Sequence, residues 1–240
     1  MAETLVLLHG FAGTGRGWDP VIGELGRERY TALAPDLRGH GSRAGARPVG
    51  FEAITADVLA AAPERFALGG YSMGGRIALG VALAAPERVS RLVLVATTAG
   101  IEDAGERAVR READERLADA IEDEDIDAFA DRWLAQPLFA GDDEAAQQRA
   151  RADIARNTTA GLAAALRGAG TGAMTPLWNR LGELTMSVLV LVGEHDAKFT
   201  AIGERLTVDI PGAELAIVPG AGHALPRAAP AALARAINAR

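Results

Sequence analysis

Cysteine is absent from the 240 residues, lysine occurs once, at Lys198, and aromatic side chains make up only 5% of the chain. Without cysteine there can be no disulfide framework, no thiolate nucleophile and no cysteine-ligated metal. Scarce lysine beside abundant arginine and alanine is a bias of composition and points to no partner. No run of about 18 uninterrupted apolar residues occurs, so no segment reads as a membrane-spanning helix. Met1-Ala2-Glu3 leads at once into Thr4 to Leu8, without the basic region and long apolar stretch of a signal peptide, and a cytoplasmic location is the expectation. The formal net charge is −7, and no cluster of Lys and Arg alternates with aromatics, which argues against a nucleic-acid partner. Neither a His/Cys ligand cluster nor a glycine-rich phosphate loop of the G-x-G-x-x-G or Gly-Lys-Ser/Thr kind follows a strand, so neither metal nor organic cofactor is expected.

What is present is a large apolar fraction, 49%, in a chain whose length suits one α/β unit with an insertion. Short runs rich in Val, Leu and Ile end in Gly, Pro or Asp, and alanine-rich segments of helical length separate them. That alternation predicts a mostly parallel sheet flanked by helices. The spacing predicts strands over Thr4–Leu8, Tyr30–Ala34, Phe66–Leu68, Arg91–Ala96, Ser187–Val192 and Glu214–Val218. Helices are predicted over Phe51–Ala61, Gly75–Ala84, Ile202–Asp209 and Arg227–Ala239, with Pro63 and Pro86 as stops beyond the first two. Between Gly100 and about Thr185 the strand pattern gives way to alanine, arginine and acidic residues, with breaks near Gly141-Asp142, Asn157-Thr158 and Gly168 to Gly172. The expectation is a core of residues 1–100 and 186–240, carrying a helical cap at 101–185 after the fourth strand. The acidic run Glu122 to Asp125 lacks the spaced ligands and turn glycine of a calcium loop and reads as a solvated face or helix start.

The chemistry is most visible at Gly70-Tyr71-Ser72-Met73-Gly74, a G-x-S-x-G set directly between a strand and a helix. A serine on so sharp a turn holds its Oγ clear of the sheet edge, and the glycines around it avoid collisions. The helix that follows aims its first amides at the same place, favouring negative charge. Met73 N–H is one candidate oxyanion donor, and Phe11 N–H, after Leu8-His9-Gly10, is the other. Serine needs a histidine to take its proton and a carboxylate to orient that histidine. Asp196 follows the fifth strand through Gly193-Glu194-His195, and His223 follows the sixth through Pro219 to Gly222. Ser72, Asp196 and His223 are therefore the candidate catalytic triad, each at a C-terminal strand end, where open α/β sheets bind ligands. His9 reads as a buttress of the oxyanion loop and His40 as a loop stabiliser. Glu194 is the rival acid, and His195 stands beside Asp196 in the wrong chain order.

These residues resemble the α/β-hydrolase superfamily. Within it, the chain is similar to the menaquinone-pathway synthases that form 2-succinyl-6-hydroxy-2,4-cyclohexadiene-1-carboxylate. The narrower resemblance rests on Tyr71 to Arg76, Trp133 to Ala140, Gly161 to Gly168 and Gly193 to Phe199. It implies substrate contacts from Tyr71 and Trp133, and a carboxylate clamp made of Arg76, Arg110 and Arg156. The chain departs from the family pattern at Leu134 and Ala135, where the family carries polar side chains. The resemblance implies a carbon–oxygen lyase eliminating pyruvate from an enolpyruvyl cyclohexene tricarboxylate. An esterase using the same triad through an acyl-enzyme is the alternative, followed by a non-catalytic small-molecule receptor. The partner in every case is a small carboxylate or ester, and the chain is expected as a monomer or homodimer.

Overall fold

The computed structural model describes residues 2–139 and 141–239, so Met1, Arg240 and Ala140, the last residue of the Trp133 segment, lie outside the described residues. Strands β1 (Glu3–Leu8), β2 (Tyr30–Leu33), β3 (Phe66–Tyr71), β4 (Val89–Val95), β5 (Ser187–Gly193) and β6 (Glu214–Val218) form one parallel sheet in the order β2-β1-β3-β4-β5-β6. Successive strand residues point to opposite faces. Leu5, Leu7, Val93, Val95, Leu189 and Leu191 enter one apolar cluster, and Val6, Leu8, Leu92, Leu94, Val188 and Val190 the other. The first is closed by α1 (Asp19–Glu24) and by α10 (Pro230–Asn238) through Val21, Leu233 and Ile237. On the second face lie α2 (Phe51–Ala61), α3 (Met73–Ala84) and α8 (Ala197–Asp209), through Ile54, Val58, Ile77 and Leu206. Burial on both faces is why the strands read as continuous apolar runs instead of alternating ones.

Several boundaries differ from expectation for identifiable reasons. β3 runs past Leu68 to Tyr71, because Gly69 and Gly70 stay in register between Leu7-Leu8 and Val93-Leu94. α3 accordingly starts at Met73, two residues earlier than predicted. α8 begins at Ala197, not Ile202, since the Asp196 carboxylate caps it by accepting the Phe199 N–H. The single helix predicted over Arg227–Ala239 is two, α9 (Leu225–Ala228) and α10, because Pro230 has no N–H with which to continue α9.

Among the described residues four α-helices lie between β4 and β5, α4 (Ala104–Glu122), α5 (Ile126–Leu134), α6 (Glu144–Ile154) and α7 (Thr159–Ala169), with short 3-10 turns after α5 and after α7. Asp103, Asp125, Asp143 and Thr158 cap them through their side chains, so part of the acidic run is helix punctuation. The helices share a small cluster of Ala118, Ile121, Phe129, Ile154, Leu162 and Leu166, which reaches the core through Ala12. Gly168 permits close docking: a Cβ there would lie 1.8 Å from the Val49 carbonyl oxygen. Among the described residues no helix is long and apolar enough to cross a membrane.

β1 has β2 on one side and β3 on the other, so the strand order reverses between β1 and β3. Such a reversal opens a crevice at the carboxyl ends of the strands. Phe11 and Ser72 leave β1 and β3 at its rim, and Asp196 and His223 follow β5 and β6 on the same side.

Candidate active site

Ser72 has φ 51° and ψ −109°, a backbone conformation that costs a non-glycine residue about 1–3 kcal/mol. Its neighbours hold it there. The Ser72 N–H donates to Val95 O at 2.9 Å, and the Thr97 hydroxyl donates to Ser72 O at 2.7 Å. Gly74 lets the elbow close on β1, since a Cβ there would stand 2.1 Å from Leu8 O. Met73 is the first residue of α3, and its N–H has no helical acceptor. Among the described residues neither Met73 N–H nor Phe11 N–H donates to the protein, so both are available to a ligand.

His223 Nδ1 lies 2.7 Å from Asp196 Oδ2, with both side chains buried. An ionised carboxylate only accepts, so Nδ1 carries the hydrogen and Nε2 is left as the basic nitrogen. Asp196 is fixed from behind through the Phe199 N–H, and the Phe199 ring packs 4.5 Å from the imidazole. Tyr71, one residue before the serine, places its ring 5.5 Å from the same imidazole. Glu194 is exposed and accepts the Gly220 N–H at 2.8 Å, an anchor for the turn leading to His223, and His195 is exposed.

His9 and His40 are both buried and both serve loops. His9 Nδ1 donates to Gly10 O at 2.8 Å, and its Nε2 accepts the Leu37 N–H at 3.0 Å. His40 Nδ1 donates to Arg38 O, and its Nε2 accepts the Ala12 N–H at 3.3 Å. Each ring spends one nitrogen as donor and one as acceptor, which only a neutral imidazole can do. Burial lowers His9 to a pKa of about 4, and burial followed by the closeness of His9 lowers His40 to about 3. The His40 ring also stands edge-on to Phe11, whose amide is the oxyanion candidate.

The expected arginines do not converge on one point. Arg76 is buried on α3, where its Nη2 donates to Ala169 O at 2.9 Å and its Nε has no partner. Burial and the neighbouring Arg110 lower its pKa to about 10. Arg110 Nε meets Asp114 at 2.7 Å, and that carboxylate also accepts the Gly172 N–H. Arg156 is exposed elsewhere, beside Asp153. A cavity of about 300 Å³ opens between strand ends and cap, walled by Gly10, Phe11, Tyr71, Trp133 and Arg156 among others. Trp133 stands 5.1 Å from Phe11 and stacks on Phe129. Arg76 and Arg110 are not among the described residues lining this cavity, and neither are Ser72, Met73, Asp196 and His223, which it approaches through Gly10, Phe11, Tyr71 and Ala224.

Sequence reasoning missed the residues tying the insertion to the loop that follows β1. Asn157 donates to Ala12 O and accepts the Gly41 N–H, both at 2.9 Å. Asp153 accepts the Thr14 N–H at 2.9 Å and the Thr14 hydroxyl, and burial holds its carboxyl above the usual range. Neither belongs to a motif. The one visible sign was an asparagine at a helix break.

The alpha/beta hydrolase family matches residues 5–236, and the chain belongs to it. It is an enzyme of that fold, which sets the receptor reading aside. A putative 2-succinyl-6-hydroxy-2,4-cyclohexadiene-1-carboxylate synthase of Bacillus subtilis (strain 168) is 38% identical, across 92% of this chain and 84% of the relative. Among solved structures, MenH from S. aureus superposes with a TM-score of 0.93 at 30% identity, covering 98% of this chain and 91% of that one. A thermophilic esterase from Thermogutta terrifontis, malate bound, superposes with a TM-score of 0.85 at 25% identity, covering 100% and 89%.

Proposed function

We propose that this enzyme is a carbon–oxygen lyase of the synthase type, eliminating pyruvate from an enolpyruvyl cyclohexene tricarboxylate in the cytoplasm, with Ser72, Asp196 and His223 as its triad. The observation that carries the reading is the likeness to MenH over 98% of the chain, because that span takes in the helical insertion as well as the sheet. In this reading His223 Nε2 takes the Ser72 proton, and the alkoxide takes the ring proton. The resulting enolate oxygen on the succinyl carbonyl is held by the Phe11 and Met73 amides. The electron pair then expels the enolpyruvyl oxygen as the enolate of pyruvate, which is protonated at its methylene carbon to pyruvate while the proton held by His223 is given up. No acyl-enzyme forms. Asp196 holds the imidazole tautomer and offsets the charge it acquires. Arginines are needed because a chain of net charge −7 otherwise repels a tricarboxylate.

The likeness to the Thermogutta esterase supports a second reading, in which Ser72 Oγ attacks an ester carbonyl. The two part on one measurement. The lyase releases pyruvate from the enolpyruvyl substrate, and Arg76→Ala or Arg110→Ala lowers its kcat/KM by roughly 10- to 100-fold through lost charge-assisted hydrogen bonds. The esterase turns over a p-nitrophenyl ester with a burst and releases no pyruvate. Wild-type enzyme that liberates no pyruvate would end the lyase reading.

A further inference from the structure

Four arginines, Arg16, Arg149, Arg156 and Arg227, and two aspartates, Asp19 and Asp153, line the cavity beside the elbow. The aspartates are already engaged, Asp19 facing Arg16 at 3.7 Å and Asp153 holding Thr14. The cavity wall is therefore cationic in a chain that is anionic overall. Two of these arginines have no role so far. Arg227 follows His223 by four residues, at the end of the short helix α9. Its Nε is fixed on Asp142 at 2.7 Å, its guanidinium lies 4.3 Å over the Phe139 ring, and its Nη2 is buried without a partner. Its charge reaches the buried Tyr71 hydroxyl, next to the serine. Arg149, exposed on α6, donates Nη2 to the Arg227 carbonyl at 3.1 Å, its one hydrogen bond among the described residues. That bond sets the two guanidinium-bearing residues side by side across the seam between cap and core.

We propose that Arg149 and Arg227 form a carboxylate-binding subsite on this wall, distinct from the three arginines matched by motif, and that it takes one carboxylate arm of the substrate. A buried guanidinium N–H with nothing to donate to costs free energy comparable to a lost hydrogen bond. Arg227 lines the cavity, so a carboxylate bound there lies beside its guanidinium, and Arg149 supplies further N–H groups from the cap side. Asp142 and Phe139 orient the Arg227 fork beforehand, which reduces what binding must order. Because Arg227 is covalently close to His223 and Arg149 stands on the cap, an anion held by both fixes the ligand relative to the triad. The subsite rests on the lyase reading for the identity of its ligand, but its affinity for carboxylates is measurable without turnover.

The test uses full-length wild type, Arg149→Ala, Arg227→Ala and Arg227→Lys, with melting temperatures as the fold control. Tricarballylate, a simple tricarboxylate, is titrated into each by calorimetry, and kcat and KM are measured on the enolpyruvyl substrate. Expected is a loss of roughly 10- to 100-fold in tricarballylate affinity for each alanine variant, with the kinetic loss falling on KM more than kcat and partial rescue by lysine. Arg149→Ala keeps the test open if Arg227→Ala fails to fold, since Arg149 is exposed. Unchanged affinity in either folded alanine variant, or no tricarballylate binding by wild type, overturns the subsite. If binding is lost as expected while wild type releases no pyruvate, the subsite stands and the lyase reading falls.

Discussion

α3, in the sheet core, buries ten of its twelve residues, whereas α4, in the helical insertion, buries three of nineteen. The first is held by Ile77, Leu79 and Val81 packed into the sheet, and the second by a thin stripe of Asp114, Ala118 and Ile121 with charges around it. This contrast maps onto the work each part does. The strained serine, the free amides and the Asp196–His223 pair all hang from strand ends that cannot shift without disrupting the core. Trp133, Arg110, Arg149 and Arg156 ride on the insertion, whose attachment runs through the apolar contacts of Ala12 and Phe11, a few polar bonds and close glycine contacts. In the proposed reading the triad sits on the densely packed part, while substrate contacts come from both, from Tyr71, Arg76 and Arg227 on the core and from Trp133, Arg110, Arg149 and Arg156 on the insertion.

The largest effect expected from this division is at the elbow. Ser72→Ala and His223→Ala each lose on the order of 10³-fold or more in kcat, and the double variant loses no more than about the worse single one. Neither lowers the melting temperature, and removing the serine side chain leaves the core contacts of α3 in place. A Ser72→Ala enzyme with near-native turnover would remove the triad from the mechanism.

A smaller effect is expected where the two parts meet. Asn157 bridges Ala12 O and the Gly41 N–H, and Asn157→Ala leaves both without a side-chain partner, costing about 1–3 kcal/mol for each buried group. Because Ala12 follows Phe11, kcat should fall along with stability. Denaturant unfolding together with steady-state kinetics checks both, and a variant that loses stability with kcat untouched would uncouple the cap from the oxyanion loop.

The same contrast decides what was legible beforehand. β6 was placed residue for residue, and all six strands were found, because burial on both sheet faces writes itself as Val, Leu and Ile runs. The strained turn at Ser72 and the pairing of Asp196 with His223 were legible because such a turn and a fixed chain order demand particular residue types. In the insertion the helical character and the breaks near Gly141, Asn157 and Gly168 were visible, but the individual helix bounds and the side-chain partners were not. Arg76, Arg110 and Arg156 look alike in sequence, yet one is buried on Ala169 O, one is paired with Asp114 and one is exposed. Asn157, Asp153 and Arg227 act through contacts with residues tens to more than a hundred positions away, which no local pattern records. Strand order was equally silent, since the reversal between β1 and β3 depends on crossovers.

Acid separates the parts by another route. His9 and His40 are neutral in the fold, with pKa values of about 4 and about 3, below the ordinary 6.5. In that window the unfolded chain binds more protons than the native one, so stability falls as pH drops from about 6.5 toward 4 and is level above about 7. Asp153, whose carboxyl is raised, works the opposite way nearer the ordinary carboxylate range. His40→Gln keeps an acceptor for the Ala12 N–H and loses the titration, so its stability should depend less steeply on pH between about 4.5 and 6.5. An unchanged slope would mean that His40 is not neutral in the native state.

The smallest effect is expected from the densest set of charges. Arg167 on α7 reaches Glu115 at 2.7 Å, Asp119 at 2.6 Å and Glu122 at 2.9 Å on α4, binding the two helices across the outer side of the cap. The partners are 54%, 63% and 43% exposed, so water screens each attraction and each long side chain loses freedom in being held. Exposed pairs of this kind contribute about 0.2–1 kcal/mol, and three that share one guanidinium do not simply add. Arg167→Ala should therefore cost about 1 kcal/mol, a shift of roughly 2–4 °C in melting temperature for a chain of this size. At about 1 M salt, where charges are screened beyond roughly 3 Å, most of the difference between variant and wild type should vanish. The contrast with Asn157→Ala, whose cost is set by buried groups and should persist in salt, sharpens the division between the two kinds of attachment. A loss well above about 2 kcal/mol for Arg167→Ala, or one indifferent to salt, would mean that the cap is held by this web and not by its buried contacts with the core.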